Sequence, residues 1–331
     1  MKAAVLHTTG TSPSYEDFPS RAPAEGEVEI TVTAAPVNNI DRMLAAGTHY
    51  SSLPELPAVL GTGGIGRLAD GTRVAFGNVP APYGAFADTV TVRKDYTSPV
   101  PDGLDDVTAA VLPNPALSVL MPLRSHGFQP GEHVLILGAT GVAGRLAIQL
   151  ARHFGAGRIT AAGRDPASLA ELPGLGADAT INLTEPAEQL QEQFRAEHAA
   201  TPVDLVLDLV WGRPAELLLR AFTGHDVAEP ATRQTRFIQI GESAGAELNL
   251  AAATLRSAPV SLHGSGGGSV QLKDLQKIPD YYAEVLELAA AGVLSVETEQ
   301  VPLSGVERAW TAPLPSGRRL VLLPGADTHQ K

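Results

Sequence analysis

The chain has 331 residues, of which 44% are apolar, a composition typical of a globular protein with a sizeable core. It carries 24 basic and 36 acidic residues, and we find no run of Lys or Arg, so a nucleic-acid partner is not expected. The chain contains no cysteine, which excludes disulfides, thiol nucleophiles and every zinc site that needs thiolate.

The sequence gives no indication of a membrane partner. It has no stretch of about 18 or more apolar residues, the length that a spanning helix needs. The first residues, Met1 to His7, turn polar too early for a signal peptide. We therefore expect a cytoplasmic protein.

Residues 1–117 are rich in predicted β-strands. Strands are predicted at 3–7, 27–34, 73–76 and 85–92, and the second alternates apolar residues on one face. A short helix is predicted within 36–47, where Asp41 could cap the start and Gly47 could close the end. The pattern indicates a small antiparallel β module.

The pattern changes after Pro113. A helix is predicted over 117–126, and from Gly131 onward strands alternate with helices. The predicted strands are 133–137, 158–162, 179–182, 203–209, 235–240 and 259–262. Alternating strands and helices favour an α/β fold with a doubly wound parallel sheet and right-handed crossovers.

Residues 263–331 depart from this alternation. They contain a Gly-rich loop at 263–269, a helix at 278–291 and strands near 296–301 and 319–323. This is too little for a third domain, so we expect the segment to complete the N-terminal β module. The predicted domains are 1–117 with 263–331, and 118–262.

The strongest functional signal lies between Val134 and Gly144. Four apolar residues precede glycines at 138, 141 and 144, and helical spacing follows. A strand, a glycine turn and a helix in this order allow backbone amides to approach a dinucleotide pyrophosphate. The spacing is G-x-x-G-x-x-G instead of G-x-G-x-x-G, so a tight turn that binds nothing is the alternative. The residues expected to contact the cofactor here are Gly138, Ala139, Thr140, Gly141, Val142 and Ala143.

Several segments together resemble the medium-chain dehydrogenase/reductase family, and more narrowly its zinc-free quinone oxidoreductase branch, to which zeta-crystallin belongs. They occur in the family's order at 36–41, 109–113, 131–144, 147–151, 175–178, 203–208 and 237–241. The resemblance implies a Rossmann domain inserted in a GroES-like catalytic domain built from both chain ends. It also implies a homodimer formed edge to edge near residues 260–262.

The resemblance allows a test for zinc. At the ligand positions of the family's alcohol dehydrogenases this chain has Asn38, the glycine-rich 61–63 and a residue near Asn114. None of these supplies a thiolate or an imidazole. We therefore expect no metal.

The end of the second Rossmann strand predicts the cofactor. Residues 158–162 are followed by Gly163 and Arg164, where an NAD site usually places Asp or Glu. Glycine leaves room for a 2′-phosphate and a guanidinium can bind it, so NADPH is favoured. Asp165 and Pro166 fit the N-cap and first turn of the next helix. The alternative is that Arg164 is an ordinary solvated turn residue.

Because no metal is expected, the acceptor of the hydride must already be electrophilic, as quinones and α,β-unsaturated carbonyls are. Candidate hydrogen-bond donors are Asn38 and Tyr50, with a helix cap and a loop aromatic as the respective alternatives. Trp211 either walls the pocket or packs. The residues expected to line the nicotinamide end are Val210, Trp211, Gly241, Gly264 and Ser265.

Three functions remain open. The first is an NADPH-dependent quinone or enone reductase. The second is an enoyl-thioester reductase, which would need a basic entrance that the net charge of −12 does not favour. The third is a non-catalytic NADPH-binding sensor or structural protein.

Overall fold

The computed structural model describes residues 1–49, 55–223, 233–269, 274 and 276–325. The chain divides into two compact units, Met1–Asn114 with Tyr282–Lys331 (the first unit) and 115–281 (the second unit). The domain boundaries expected from the sequence, after 117 and after 262, differ from these. The strand predicted to end at 262 continues to Gly264 within the parallel sheet, so the expected boundary after 262 falls inside a strand.

The strands are β1 (Lys2–Leu6), β2 (Ser14–Asp17), β3 (Glu27–Pro36), β4 (Ala58–Val59), β5 (Gly63–Arg67), β6 (Arg73–Gly77), β7 (Thr89–Arg93), β8 (Thr97–Pro99), β9 (His133–Leu137), β10 (Arg158–Gly163), β11 (Ala179–Asn182), β12 (Leu205–Asp208), β13 (Thr235–Gln239), β14 (Val260–Gly264), β15 (Glu297–Pro302) and β16 (Arg318–Leu323). The helices are α1 (Asn39–Ala46), α2 (Asp106–Val111), α3 (Pro113–Ser125), α4 (Val142–His153), α5 (Pro166–Glu171), α6 (Ala187–Ala200), α7 (Gly212–Ala221), α8 (Ala252–Ser257), α9 (Ile278–Ala290) and α10 (Val306–Thr311).

The first unit is built on two sheets. One has the order β2-β1-β4, and the other has the order β15-β16-β3-β5-β6-β8 with β7 paired to β3. All of these pairs are antiparallel except β15 with β16. Side chains of β3 alternate as predicted, and Ile30 and Val32 are buried in the core together with Phe86 and Leu6.

One predicted strand of the first unit is shorter than expected. The segment predicted as 85–92 forms a regular strand only from Thr89. Before that point Ala85 and Phe86 bond to the loop at Leu60 and Gly61, through Ala85 N to Gly61 O at 2.9 Å and Phe86 N to Leu60 O at 2.9 Å. Both residues are buried, and their amides bond to this loop instead of forming a regular strand ladder.

The second unit contains a six-stranded parallel sheet in the order β11-β10-β9-β12-β13-β14. The strands predicted from the sequence are confirmed, with ends that differ by one or two residues. All five residues of β9 are buried, as expected for a central strand covered on both faces. The predicted fold class, a doubly wound Rossmann sheet plus a GroES-like β-rich part, is confirmed.

The strand order fixes where a ligand can bind in the second unit. From β9 the chain proceeds first to β10 and β11 on one side and then to β12, β13 and β14 on the other. The order reverses between β9 and β12, and in open α/β sheets the crevice outside the carboxyl ends of such strands is the usual ligand site. Among the described helices, none is long and apolar enough to cross a membrane.

Candidate functional site

The glycine turn connects β9 to α4 in the second unit. Gly138 has a φ of 86°, a left-handed conformation that favours glycine. The amides of Gly138 and Ala139 both donate to Ala162 O at 2.9 Å, which fixes the turn against β10. Gly141 is the N-cap of α4, so the amides of Val142, Ala143 and Gly144 lie in its first turn and have no acceptor within the helix.

Close backbone approach requires glycine at two positions of the turn. A Cβ at Gly144 would lie 2.3 Å from Gly138 O and 2.5 Å from Ala139 Cα. A Cβ at Gly138 would lie 2.7 Å from Val210 Cγ1. Gly141 is different, because its Cβ would meet only Gly138 O, at 3.5 Å. The turn therefore presents free amides, and the space beside Gly141 is open. This arrangement, called the glycine cradle below, fits a pyrophosphate.

The end of β10 lies directly against this turn. A Cβ at Gly163 would be 2.4 Å from Thr140 Cγ2. Arg164 is exposed and forms no ion pair or hydrogen bond with any described residue. Both residues stand where the sequence predicted a 2′-phosphate contact.

Asp165 caps α5, as predicted. Its carboxylate accepts from Ser168 N at 3.0 Å and also from Ser168 Oγ, and Pro166 begins the helix. These bonds from Ser168 lower the pKa of the Asp165 carboxyl. The carboxylate is thus engaged in capping, and a ribose hydroxyl would have to compete with Ser168 for it.

The turn after β12 is organised by a buried carboxyl. Asp208 Oδ1 accepts from Val210 N at 2.9 Å and from Trp211 N at 2.8 Å. Its Oδ2 is buried and has no partner among the described residues. Burial raises the pKa of Asp208 to about 6, although the two amide bonds act in the opposite direction.

Trp211 has an unusual backbone, with φ 55° and ψ −155°. Conformations of this kind cost a residue other than glycine about 1–3 kcal/mol. Its indole packs edge-to-face on Phe237, with ring centroids 6.4 Å apart, and contacts the second unit's core. This contact favours the packing alternative for the indole, and its role as a pocket wall stays a prediction.

The remaining predicted residues lie at the same edge of the sheet. Gly241 N donates to Asp208 O at 3.1 Å, and a Cβ at Gly241 would be 2.6 Å from Leu209 O. Gly264 ends β14, and Ser265 N donates to Gln239 O at 2.8 Å. The structure therefore places Val210, Gly241 and Ser265 just after, and Gly264 at the end of, three successive parallel strands, and their contact with a nicotinamide stays a prediction.

The first unit holds the predicted catalytic residue. Asn38 is the N-cap of α1, and Asp41, the residue expected to cap the helix start, does so from the third helical position instead of the N-cap position. The reason is that Asp41 Oδ2 accepts from Asn38 N at 2.7 Å, which makes the carboxylate part of the cap. Gly47 closes the helix in a left-handed conformation, as predicted.

Asn38 is 2% exposed, and its side chain faces the Asp41 amide in a capping box, as the helix-cap alternative predicted, while Oδ1 forms no hydrogen bond of normal geometry in the described part of the chain. Asp41 also accepts from Thr62 N at 2.9 Å, and burial raises its pKa to about 6. The buried Arg319 donates to Val37 O at 3.1 Å and acts electrostatically on Asp41. This polar cluster was not anticipated from the sequence, since Asp41 and Arg319 are distant in the chain.

Tyr50, the second predicted catalytic residue, lies outside the described residues. Among those described, no group of three or more His, Asp or Glu side chains could hold a metal ion.

The close approach at Gly144 can be tested by substitution. Gly144→Ala places a Cβ against backbone atoms, and we expect it to lower the free energy of unfolding by about 1–3 kcal/mol. Gly174→Ala is the matched control, because a Cβ there meets nothing within 4 Å. Urea denaturation of both variants measures the difference. Equal stability of the two would contradict this account of the turn.

The buried Asp208 predicts a pH-dependent stability. The folded chain keeps its proton up to about pH 6, whereas the unfolded chain loses it near 3.8, so stability from this group falls as pH rises through this window. Asparagine cannot ionise. We therefore expect the free energy of unfolding of Asp208→Asn, relative to that of wild type, to rise by up to about 3 kcal/mol as the pH is raised from about 4 to about 7.5.

The control is Asp70→Asn. Hydrogen bonds from Thr72 lower the pKa of Asp70 from its ordinary value of 3.8, so its contribution to stability is lost only below about pH 4, and Asp70→Asn should leave the pH dependence between about pH 4 and about pH 7.5 nearly unchanged. The measurement is the free energy of unfolding of each variant at both pH values. A pH-independent difference between wild type and Asp208→Asn would show that Asp208 is ionised throughout.

Comparison with known proteins was made by sequence and by fold. No family model matches the chain. The probable NADPH-dependent quinone reductase tdiC of Emericella nidulans is 27% identical, over 98% of this chain and 100% of its own length. The 2-methylene-furan-3-one reductase of Solanum lycopersicum is 31% identical, over 51% of this chain and 48% of its own length.

Among solved structures, Escherichia coli quinone oxidoreductase complexed with NADPH matches with a TM-score of 0.80 and 21% identity, over 98% of this chain and all of the other. At this identity the likeness shows the fold alone. These likenesses, to a quinone reductase over almost the whole chain and to the fold of a quinone oxidoreductase, are consistent with the zeta-crystallin-like branch of the medium-chain dehydrogenase/reductase superfamily, which the ordered motifs resemble.

Proposed function

We propose that this chain is an NADPH-dependent oxidoreductase that reduces a quinone or an α,β-unsaturated carbonyl without a metal ion. The observation that carries the proposal is the carboxyl edge of the second unit's sheet. There a glycine cradle with free helix amides adjoins Gly163 and the unpaired Arg164, while Asp165 is engaged in capping. The names of the Emericella and Solanum relatives support the same class of reaction.

In this proposal, different residues bind the different parts of NADPH. The first-turn amides of α4 hold the pyrophosphate, and Gly163 with Arg164 accommodates the 2′-phosphate. Val210, Trp211, Gly241, Gly264 and Ser265 line the nicotinamide end. When bound, NADPH supplies the hydride.

The acceptor needs little from the protein beyond position and hydrogen bonds. In a quinone or an enone, conjugation spreads the developing negative charge to an oxygen, which donors can stabilise. Asn38 is the proposed donor, through its amide nitrogen, and Tyr50 is the second candidate.

The proposed assembly is a homodimer. Its support is the resemblance to the family and the position of β14 at the end of the sheet order, where one side of the strand has no neighbour in the described chain. Edge strands of this kind offer unpaired amides and carbonyls to a second copy.

A substrate panel tests the proposed reaction. Purified protein in the presence of a chelator is given NADPH with a quinone, an enal, an enoyl thioester or a simple ketone, and the loss of NADPH absorbance is followed. Turnover of the quinone or enal, with none of the simple ketone, is the expected result. Exclusive use of the thioester would favour the enoyl-thioester reductase, and tight NADPH binding without any turnover would favour a sensor or structural protein.

The cofactor preference rests on Arg164. Loss of one charge-assisted contact to a phosphate costs about 1.5–3 kcal/mol, so Arg164→Ala should raise the KM for NADPH about 10- to 100-fold and leave that for NADH nearly unchanged. Arg195→Ala is the control, since Arg195 lies exposed on α6 and pairs with Glu192. An unchanged NADPH preference in Arg164→Ala would overturn this assignment.

A further inference from the structure

A second arginine lies beside the glycine turn of the second unit. Arg145 directly follows Gly144 in α4, and its side chain is only 13% exposed. Its Nε donates to Thr140 O at 3.3 Å, and its Nη2 contacts the Glu171 carboxylate at 2.5 Å. The guanidinium is therefore held on the outside of the turn, on the side of α5.

The hydrogen bond from Arg145 to Thr140 places this guanidinium near the end of β10. Thr140 carries the methyl group that fills the space at Gly163. After the Ser168 hydrogen bonds, which are the largest cause, Arg145 also lowers the pKa of Asp165, the residue after Arg164. Arg145 thus reaches from Thr140 in the glycine turn to Glu171 at the end of α5, and Thr140 itself adjoins Gly163.

Arg145 and its ion-pair partner Glu171 differ in their exposure to water. Glu171 is the last residue of α5, and its side chain is 60% exposed, whereas the arginine is largely withdrawn from water. An exposed carboxylate is well hydrated and loses little when it releases a cation. A phosphate dianion carries more charge and more acceptor oxygens, and it matches the guanidinium fork.

We infer that Arg145 binds the 2′-phosphate of NADPH together with Arg164, and that Glu171 competes with this phosphate for the Arg145 guanidinium. The inference rests on the proposed NADPH-dependent function. It makes Arg145 a specificity-determining residue for the cofactor, and Glu171 an internal anion that weakens NADPH binding.

The test measures binding without turnover. Adenosine 2′,5′-bisphosphate and adenosine 5′-monophosphate are titrated calorimetrically into wild type, Arg145→Gln, Glu171→Gln and Arg152→Gln. The two ligands differ in the 2′-phosphate, so the ratio of their Kd values reports contacts to that group. Arg152→Gln is the matched control, because Arg152 lies on the same helix and also pairs with an exposed carboxylate, that of Asp178.

Arg145→Gln should weaken binding of the bisphosphate about 10- to 100-fold and change that of the monophosphate less than about twofold. Glu171→Gln should strengthen bisphosphate binding alone, and Arg152→Gln should leave the ratio unchanged. If Arg145→Gln does not fold, Glu171→Gln still tests the competition.

A wild-type protein that does not discriminate between the two ligands would contradict the proposed NADPH dependence itself. Discrimination in wild type that persists in Arg145→Gln would overturn the role of Arg145 and leave the proposed function standing. Equal strengthening of both ligands by Glu171→Gln would overturn the competition, since it would reflect only the removal of a nearby negative charge.

Discussion

The close packing of α4 on the end of β9 is the constraint on which the candidate cofactor site depends. A side chain at Gly144 would overlap Gly138 O, and one at Gly163 would overlap Thr140. At Gly144 the overlap is with backbone atoms, which cannot move aside as a flexible side chain can, so α4 and the end of β9 approach this closely only with glycine. The approach brings the free amides of the first turn of α4 next to the end of the central strand. An anion there is stabilised by backbone geometry and the helix dipole, before any charged side chain takes part.

The carboxyl edge of the sheet continues this arrangement. The turn after β12 is held by Asp208, and Gly241 packs on that turn because it has no Cβ to meet Leu209 O. The strained backbone of Trp211 is maintained by the Asp208 bond to its amide and by the packing of its indole on Phe237. Strain that the surroundings enforce at a ligand-binding edge is common at functional sites, because it fixes backbone groups in advance of binding.

Much of this could be predicted from the sequence. The apolar run of β9 predicts a strand that is covered on both faces of a parallel sheet, and the glycines that follow it predict the turn. The features that escaped prediction depend on contacts between distant residues. The pairing of Arg145 with Glu171 requires α4 and α5 to be adjacent, and the true cap of α1 depends on Asp41 turning back to Asn38. Local propensity identified Asp41 as a capping residue but could not tell which amide it would reach.

The two buried carboxyls with raised pKa values, one in each unit, differ in what their surroundings require. Asp41 uses both oxygens, Oδ2 for Asn38 N and Oδ1 for Thr62 N, so an amide side chain could not replace it without losing one acceptor. Asp208 accepts both of its hydrogen bonds on Oδ1, and Oδ2 has no partner in the described chain. Its turn geometry would be met equally by the carbonyl of an asparagine. Local hydrogen bonding therefore explains why position 41 needs a carboxylate with two acceptor oxygens. At position 208 the same kind of argument requires only one acceptor oxygen. The ionisable group at 208 therefore costs stability near neutral pH, where the folded chain must ionise a buried carboxyl that the unfolded chain ionises in water.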